Sequence, residues 1–159
     1  IYTIVHKITG NVKIADEETD IIQYFRLSGQ VWNDANKNDI KDTEDGIQGI
    51  KVVLYQNNQK LKVSTTDSLG KYRFNDLEKG DYIIGFEYDK EKYVAAKYNT
   101  NKQGEIVSEA IETDEGVSAT EIIKLNESKE INFGLQERDT FDLEVNKYIS
   151  KAIIKYKGN

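Results

Sequence analysis

Between Asp34 and Asp45 the chain reads Asp34-Ala-Asn36-Lys-Asn38-Asp39-Ile40-Lys-Asp42-Thr-Glu44-Asp45, with oxygen-bearing side chains at positions 1, 3, 5, 9 and 12 of a twelve-residue loop. Carboxylates, carboxamides and a main-chain carbonyl are the ligands a hard cation takes. Calcium accepts about six to eight oxygens at roughly 2.3–2.6 Å, and this spacing lets a short loop fold around one ion, with the Ile40 carbonyl at position 7. The candidate ligands are therefore Asp34, Asn36, Asn38, Ile40 through its backbone, Asp42 and Asp45. Two positions depart from the usual loop. At position 6, where glycine supplies φ > 0, stands Asp39, one of the few other residues that tolerate that conformation. At position 12, Asp45 replaces the longer glutamate that grips the ion with both oxygens, and Glu44 beside it could substitute. An acidic, Asn-rich turn would use the same residue types without metal. Turn preference alone does not explain five correctly spaced ligand types.

The flanking segments decide what kind of ion site this would be. An EF-hand needs an amphipathic helix on each side. Here Tyr24 to Trp32 alternates apolar and polar for part of its length, and Ile50-Lys-Val52-Val53-Leu54-Tyr55 is β-branched and aromatic, so both read as strands. An ion held between strands is a structural clamp, because there is no pair of helices for it to open.

Beyond the loop, short segments alternate with turn signals in the rhythm of an all-β sandwich. Ile50 to Tyr55 is followed by the turn Gln56-Asn57-Asn58-Gln59, a strand from Lys60 to Thr66, and the turn Asp67-Ser68-Leu69-Gly70. In Lys71 to Phe74 the alternation puts Tyr72 and Phe74 inward; after Glu78-Lys79-Gly80, Tyr82, Ile84, Phe86 and Tyr88 share one face. Such stripes read as core, not as a ligand platform. From Asp89 to Glu121 the periodicity fades into a long polar connection with one or two short strands, Glu105 to Val107 foremost. Thr120 to Leu125 and Glu130 to Leu135 then read as the last strands. Residues 1–20 suggest the end of a preceding segment or a hairpin followed by the acidic linker Asp16 to Asp20, 21–137 the sandwich, and 138–159 a linker and the first strand of a following module, Phe141 to Ile149, with a short helix as the alternative.

Composition narrows the function classes. A net charge of −6 argues against nucleic acid, whose phosphates need a basic footprint, and suits a surface that attracts divalent cations. With no Cys there is neither a disulfide nor a thiolate metal site. His6 is the only imidazole, and no Ser sits in a nucleophile-elbow context, so the chain does not read as an enzyme. No apolar run is long enough for a signal peptide or membrane insertion. The start at Ile1 and the lack of any Met read as a piece of a longer protein.

Several motifs in order, Ser28-Gly29-Gln-Val-Trp32-Asn-Asp34, the acidic loop, Gly46-Ile47-Gln-Gly49-Ile50-Lys-Val52, Thr66-Asp67-Ser-Leu-Gly70-Lys-Tyr72-Arg-Phe74 and Leu77-Glu-Lys-Gly80-Asp-Tyr82, resemble the SdrD B-like repeat. This calcium-binding module of Gram-positive cell-wall adhesins is related to the collagen-adhesin B-type (Cna B-like) domains. The resemblance covers about Leu27 to Leu135, and the Asp89 to Ile123 region looks like clostridial versions of the repeat. It implies a prealbumin-like (Ig-like) antiparallel β-sandwich with an EF-hand-like calcium loop between strands, Ca2+ on Asp34, Asn36, Asn38, Ile40, Asp42 and Asp45, and a stiff spacer at the bacterial cell surface. Its partners would be neighbouring modules of the same protein, and a host extracellular-matrix protein or glycan, bound along a sheet edge or through Tyr93 and Tyr98. The resemblance also brings Asp67 near a second ion, against its simpler reading as a turn residue. Related B-type domains carry a Lys to Asn isopeptide bond. Here the strand before the loop offers Arg26 and Gln30 but no Lys, and guanidinium cannot serve as the amine. Asn132 then reads as an ordinary strand residue, and Lys147 as a crosslink candidate of a following module.

Overall fold

A computed structural model describes residues 21–139 apart from residue 102. The preceding segment or hairpin and acidic linker expected over residues 1–20, with His6, and the segment from Phe141 to Ile149 with Lys147 lie outside the described residues.

Thirteen strands are described: β1 (Phe25–Asn33), β2 (Ile40–Lys41), β3 (Lys51–Gln56), β4 (Gln59–Thr65), β5 (Lys71–Leu77), β6 (Gly80–Glu87), β7 (Tyr93–Ala95), β8 (Ile106–Val107), β9 (Ile111–Asp114), β10 (Val117–Ala119), β11 (Ile123–Leu125), β12 (Lys129–Glu130) and β13 (Phe133–Glu137). One sheet is built around β1, with β5 antiparallel on one side and β12 and β13 on the other, and β7 beyond β13. The second runs β4-β3-β6-β10-β9, with β11 also on β6. The pair β2-β8 stands apart from both. The all-β sandwich is as expected, and its named strands pair antiparallel except where β1 meets β12 and β13, which run parallel to it.

The inward stripes of the two sheets meet face to face. Leu27, Tyr72, Phe74 and Phe133 from the first pack with Val52, Leu54, Ile84 and Phe86 from the second, all buried. Phe86 stacks on Phe133 with ring centroids 4.5 Å apart, and Tyr72 meets the Phe86 edge at 5.7 Å. The hydroxyl that Tyr72 carries into this interior donates to the Ile131 carbonyl at 2.6 Å. That carbonyl lies so close to Gly29 that any side chain at position 29 would collide with it. The β3-β4 hairpin turns on Asn57 and Asn58, both at positive φ (53° and 61°), the geometry a two-residue hairpin loop needs to match strand twist.

The long connection after Asp89 is more ordered than its sequence suggests. It supplies β7 to the edge of β13, β8 to β2, and the β9-β10 hairpin to β6. These strands are two to four residues long, too short for a period-2 pattern to stand out, and all four β9 residues are exposed. Tyr93 is buried against the core, and half-buried Tyr98 donates its hydroxyl to Glu121 at 3.1 Å. Both pack the connection onto the sandwich.

Candidate metal loop

The loop begins where β1 runs out of its sheet. The parallel register pairs Trp32 with Gly134 and Asn33 with Leu135, and the Asp34 N–H continues it by donating to the Leu135 carbonyl at 2.8 Å. A side chain at Gly134 would run into the Trp32 ring and Ala96, so the buried indole lies flat on the outer face of this sheet, away from the main core. Asp34, on the same face one step further, is fully buried. Its Oδ2 accepts from the Asp39 N–H at 2.9 Å and from Gln136 Nε2 at 2.8 Å. Its Oδ1 is buried and receives no donor.

Within the loop the short polar side chains fold back on the backbone. Asn36 Oδ1 accepts from the Asn38 N–H at 3.3 Å and Asn38 Oδ1 from the Ile40 N–H at 3.0 Å. Both amide nitrogens donate to Asp42 Oδ2, at 2.8 and 2.7 Å. Those two amides, Asn36 foremost, hold the Asp42 carboxyl below its usual range. Lys37 and Asp39 take positive φ (57° and 65°), so Asp39 adopts the backbone that position 6 requires. Ile40 lies in β2 opposite Val107 of β8, which straps the middle of the loop to the long connection.

At the loop's exit the two neighbouring acids point different ways. Glu44 accepts from the Asp42 N–H through Oε1 at 2.7 Å, and its Oε2 is buried without a donor. Asp45 is exposed; its backbone carbonyl takes the Asn33 N–H at 2.9 Å and closes the base of the loop. The structure thus gathers Asn36, Asn38 and Asp42, buries Asp34, and turns Glu44 rather than the Asp45 side chain toward the loop interior. The extra methylene of Glu44 was the legible signal. Gln136 carried none, because only the β1-β13 register brings it beside Asp34, 102 positions away.

Among the described residues, four buried side-chain polar atoms lack a hydrogen-bond partner, Trp32 Nε1, Asn33 Oδ1, Asp34 Oδ1 and Glu44 Oε2, and all fall between Trp32 and Glu44. Three are oxygens, two of them on carboxylates. A buried carboxylate oxygen without a donor is costly unless a cation neutralises it. No three His, Cys, Asp or Glu residues among those described group closely enough to hold a metal by themselves. The loop instead offers a mixed set of carboxylates, amides and a carbonyl, which suits calcium's many-oxygen shell and not the compact tetrahedron of zinc.

The other candidates have structural roles. Asp67 Oδ1 accepts from the Leu69 and Lys71 N–H groups, both at 2.9 Å, and so closes its turn; those bonds hold its carboxyl below the usual range. Asn132 sits in the break between β12 and β13. Its Oδ1 accepts from the Gln30 N–H at 2.9 Å and its N–H donates to Glu109 Oε2 at 2.8 Å, so the side chain carries the sheet's hydrogen bonding across the gap.

The model of the SdrD B-like domain family matches residues 26–135, more than half of the chain. The serine-aspartate repeat-containing protein F of Staphylococcus epidermidis is 36% identical over 121 residues, which cover 75% of this chain and 6% of that protein. The serine-aspartate repeat-containing protein D of Staphylococcus aureus strain Newman is 41% identical over 85 residues, 50% of this chain and 6% of that protein. The chain thus corresponds to a small fraction of the length of these relatives. Among solved structures, BcpA, the major pilin subunit of Bacillus cereus, aligns over 74% of this chain and 31% of its own, with a TM-score of 0.42 and 14% identity. GBS52, the minor pilin of Streptococcus agalactiae, aligns over 77% of this chain and 51% of its own, with a TM-score of 0.41 and 16% identity. The match of the family model over residues 26–135 makes this chain a member of the SdrD B-like domain family.

Proposed function

We propose that this domain is a calcium-stabilised spacer and adhesion module of a bacterial surface protein, joined to neighbouring modules and exposed outside the cell. One observation carries the reading: the buried, donor-free oxygens Asp34 Oδ1 and Glu44 Oε2 belong to a loop whose other members are oxygen ligands at calcium spacing. Asp34, Asn36, Asn38, Asp42 and the Ile40 carbonyl would hold the ion, with Glu44 in the place that sequence spacing gives to Asp45. A bound calcium supplies positive charge to a segment that carries five carboxylates and two lysines between residues 34 and 45. Asp34 then anchors the ion to the end of β1, and the base of the loop stays shut through Asn33 and Asp45. Because the folded loop binds and the unfolded chain does not, occupancy adds stability in proportion to the logarithm of free calcium over the dissociation constant.

The test is thermal unfolding in calcium and in excess chelator, with intact mass recorded on the same sample. A higher midpoint in calcium at unmodified mass is the expected result. Equal midpoints would reduce the loop to a polar turn, and a mass short by one ammonia would reveal an isopeptide crosslink.

A second reading, recognition of a partner's extended segment, has its own support. β4 ends its sheet, pairs only with β3 and displays Leu61 and Val63, 47% and 50% exposed. Such an edge suits strand addition by a host protein. Replacing Val63 with Pro, which blocks edge pairing, should abolish capture of a bound partner while leaving the calcium response intact.

A further inference from the structure

We propose that Gln136 is a positioning residue for the ion loop, and that with Asp39 it makes the affinity of the loop depend on the last strand of the domain. This rests on the reading of the loop as a calcium site and concerns residues outside the ligand set. The Nε2 of Gln136 reaches two carboxylates at once, Asp34 Oδ2 at 2.8 Å and Asp39 Oδ1 at 3.0 Å. A carboxamide nitrogen has two hydrogens, so it satisfies both without competition. Asp39 then contributes its N–H to the same Asp34 Oδ2, while its Oδ1 also accepts from the Lys97 N–H at 2.8 Å.

The consequence for Asp34 is directional. Its carboxylate is symmetric and can turn about χ2 to exchange its oxygens. With two donors converging on Oδ2, one oxygen is committed to the protein scaffold and Oδ1 is left buried and free. Gln136 thereby fixes which oxygen faces a ligand. It also places a donor between two acids that would otherwise repel each other across the loop. Glycine at position 6 would leave such a loop self-contained. Asp39 instead reaches out to the long connection through Lys97 and to β13 through Gln136, so three chain segments set the first ligand.

The test is calcium titration by isothermal calorimetry on the full chain, for wild type, Gln136→Met and Gln136→Asn, with amide hydrogen exchange across β13 in calcium and in chelator. Methionine preserves length and removes both donors, whereas asparagine keeps the amide one methylene short. The expected result is a calcium Kd raised about tenfold or more in Gln136→Met, which loses the hydrogen bonds to both the Asp34 and the Asp39 carboxylates, and raised less in Gln136→Asn. The chelator midpoint of Gln136→Met should fall as well, since the buried Asp34 carboxylate loses a donor, and the calcium-induced slowing of exchange in β13 expected of wild type should be lost in that variant. If Gln136→Met does not fold, Gln136→Asn carries the test alone, and a Kd within twofold of wild type overturns the proposal. Wild type that binds calcium alongside variants that bind equally well would sink this inference and leave the calcium reading standing. Wild type that takes up no calcium would overturn both.

Discussion

The interior between the two sheets and the space beneath the loop are served by the same strand, β1, and are closed by opposite chemistries. Phe25, Leu27 and Val31 face inward into a stack of apolar rings where the buried hydroxyls have partners, that of Tyr72 on the Ile131 carbonyl and that of Tyr88 on Ser118. Trp32 and Asp34 face the other way, into a segment that holds all the buried, unpartnered side-chain polar atoms found among the described residues. The first region is complete as folded. The second is shaped by hydrogen bonds and still has oxygens to spare, so its stability should depend on what the solution contains. That contrast separates a core, whose cohesion is apolar burial, from a candidate site, whose cohesion should be conditional.

The largest effect should come from the core side. Phe133→Ala removes the ring stacked on Phe86 and should cost about 3–5 kcal/mol; unfolding in denaturant should show the same loss in calcium and in chelator. If the loss differed between the two conditions, the two regions would not be independent. On the loop side, Glu44→Ala should erase most of the calcium-dependent gain, which amounts to about 2.7 kcal/mol at a hundredfold excess of calcium over Kd. Asp45→Ala should retain that gain, and the reverse ranking would return the twelfth position to Asp45.

Two pH responses sharpen the comparison further. Burial, aided by Glu109 and Glu130, pushes the Tyr72 hydroxyl well above its ordinary value. Its stabilising contribution is therefore fully present below about pH 10 and falls as pH rises toward the folded value. Tyr72→Phe should cost about 1–2 kcal/mol at pH 7 and flatten the alkaline decline of the melting midpoint. The smallest effect is expected in acid. The carboxyls of Asp42 and Asp67 are lowered, so their contributions are present above about pH 3.9 and fade as pH falls through the folded values. In chelator, Asp67→Asn should show a slightly shallower acid decline than wild type.

What could be read in advance tracks how local the physics is. The aromatic stripe Tyr82, Ile84, Phe86 and Tyr88 is written in alternation, and the hairpin at Asn57 and Asn58 in two residues that accept positive φ. Loop spacing is equally local, and so is the length of the Glu44 side chain, which lets its carboxylate reach back to the Asp42 N–H. The parts that escaped are those settled by partners far along the chain. β7 and β8 are three and two residues long and exist because β13 and β2 present edges to them. Gln136 gains its position from the β1-β13 register, and Asn132 its ladder role from a break that nothing in Glu130 to Leu135 announces.

The parallel alignment of β1 with β12 and β13 decides how the domain would respond to tension. The chain enters β1 at Phe25 and leaves β13 at Glu137, and the two strands point the same way. Pulling those ends apart draws β1 backward and β13 forward along a shared ladder, so its hydrogen bonds are loaded together in shear and cannot open singly like a zip. Asp34 and Gln136, bonded across the far end of that ladder, lie on the line along which the force would run.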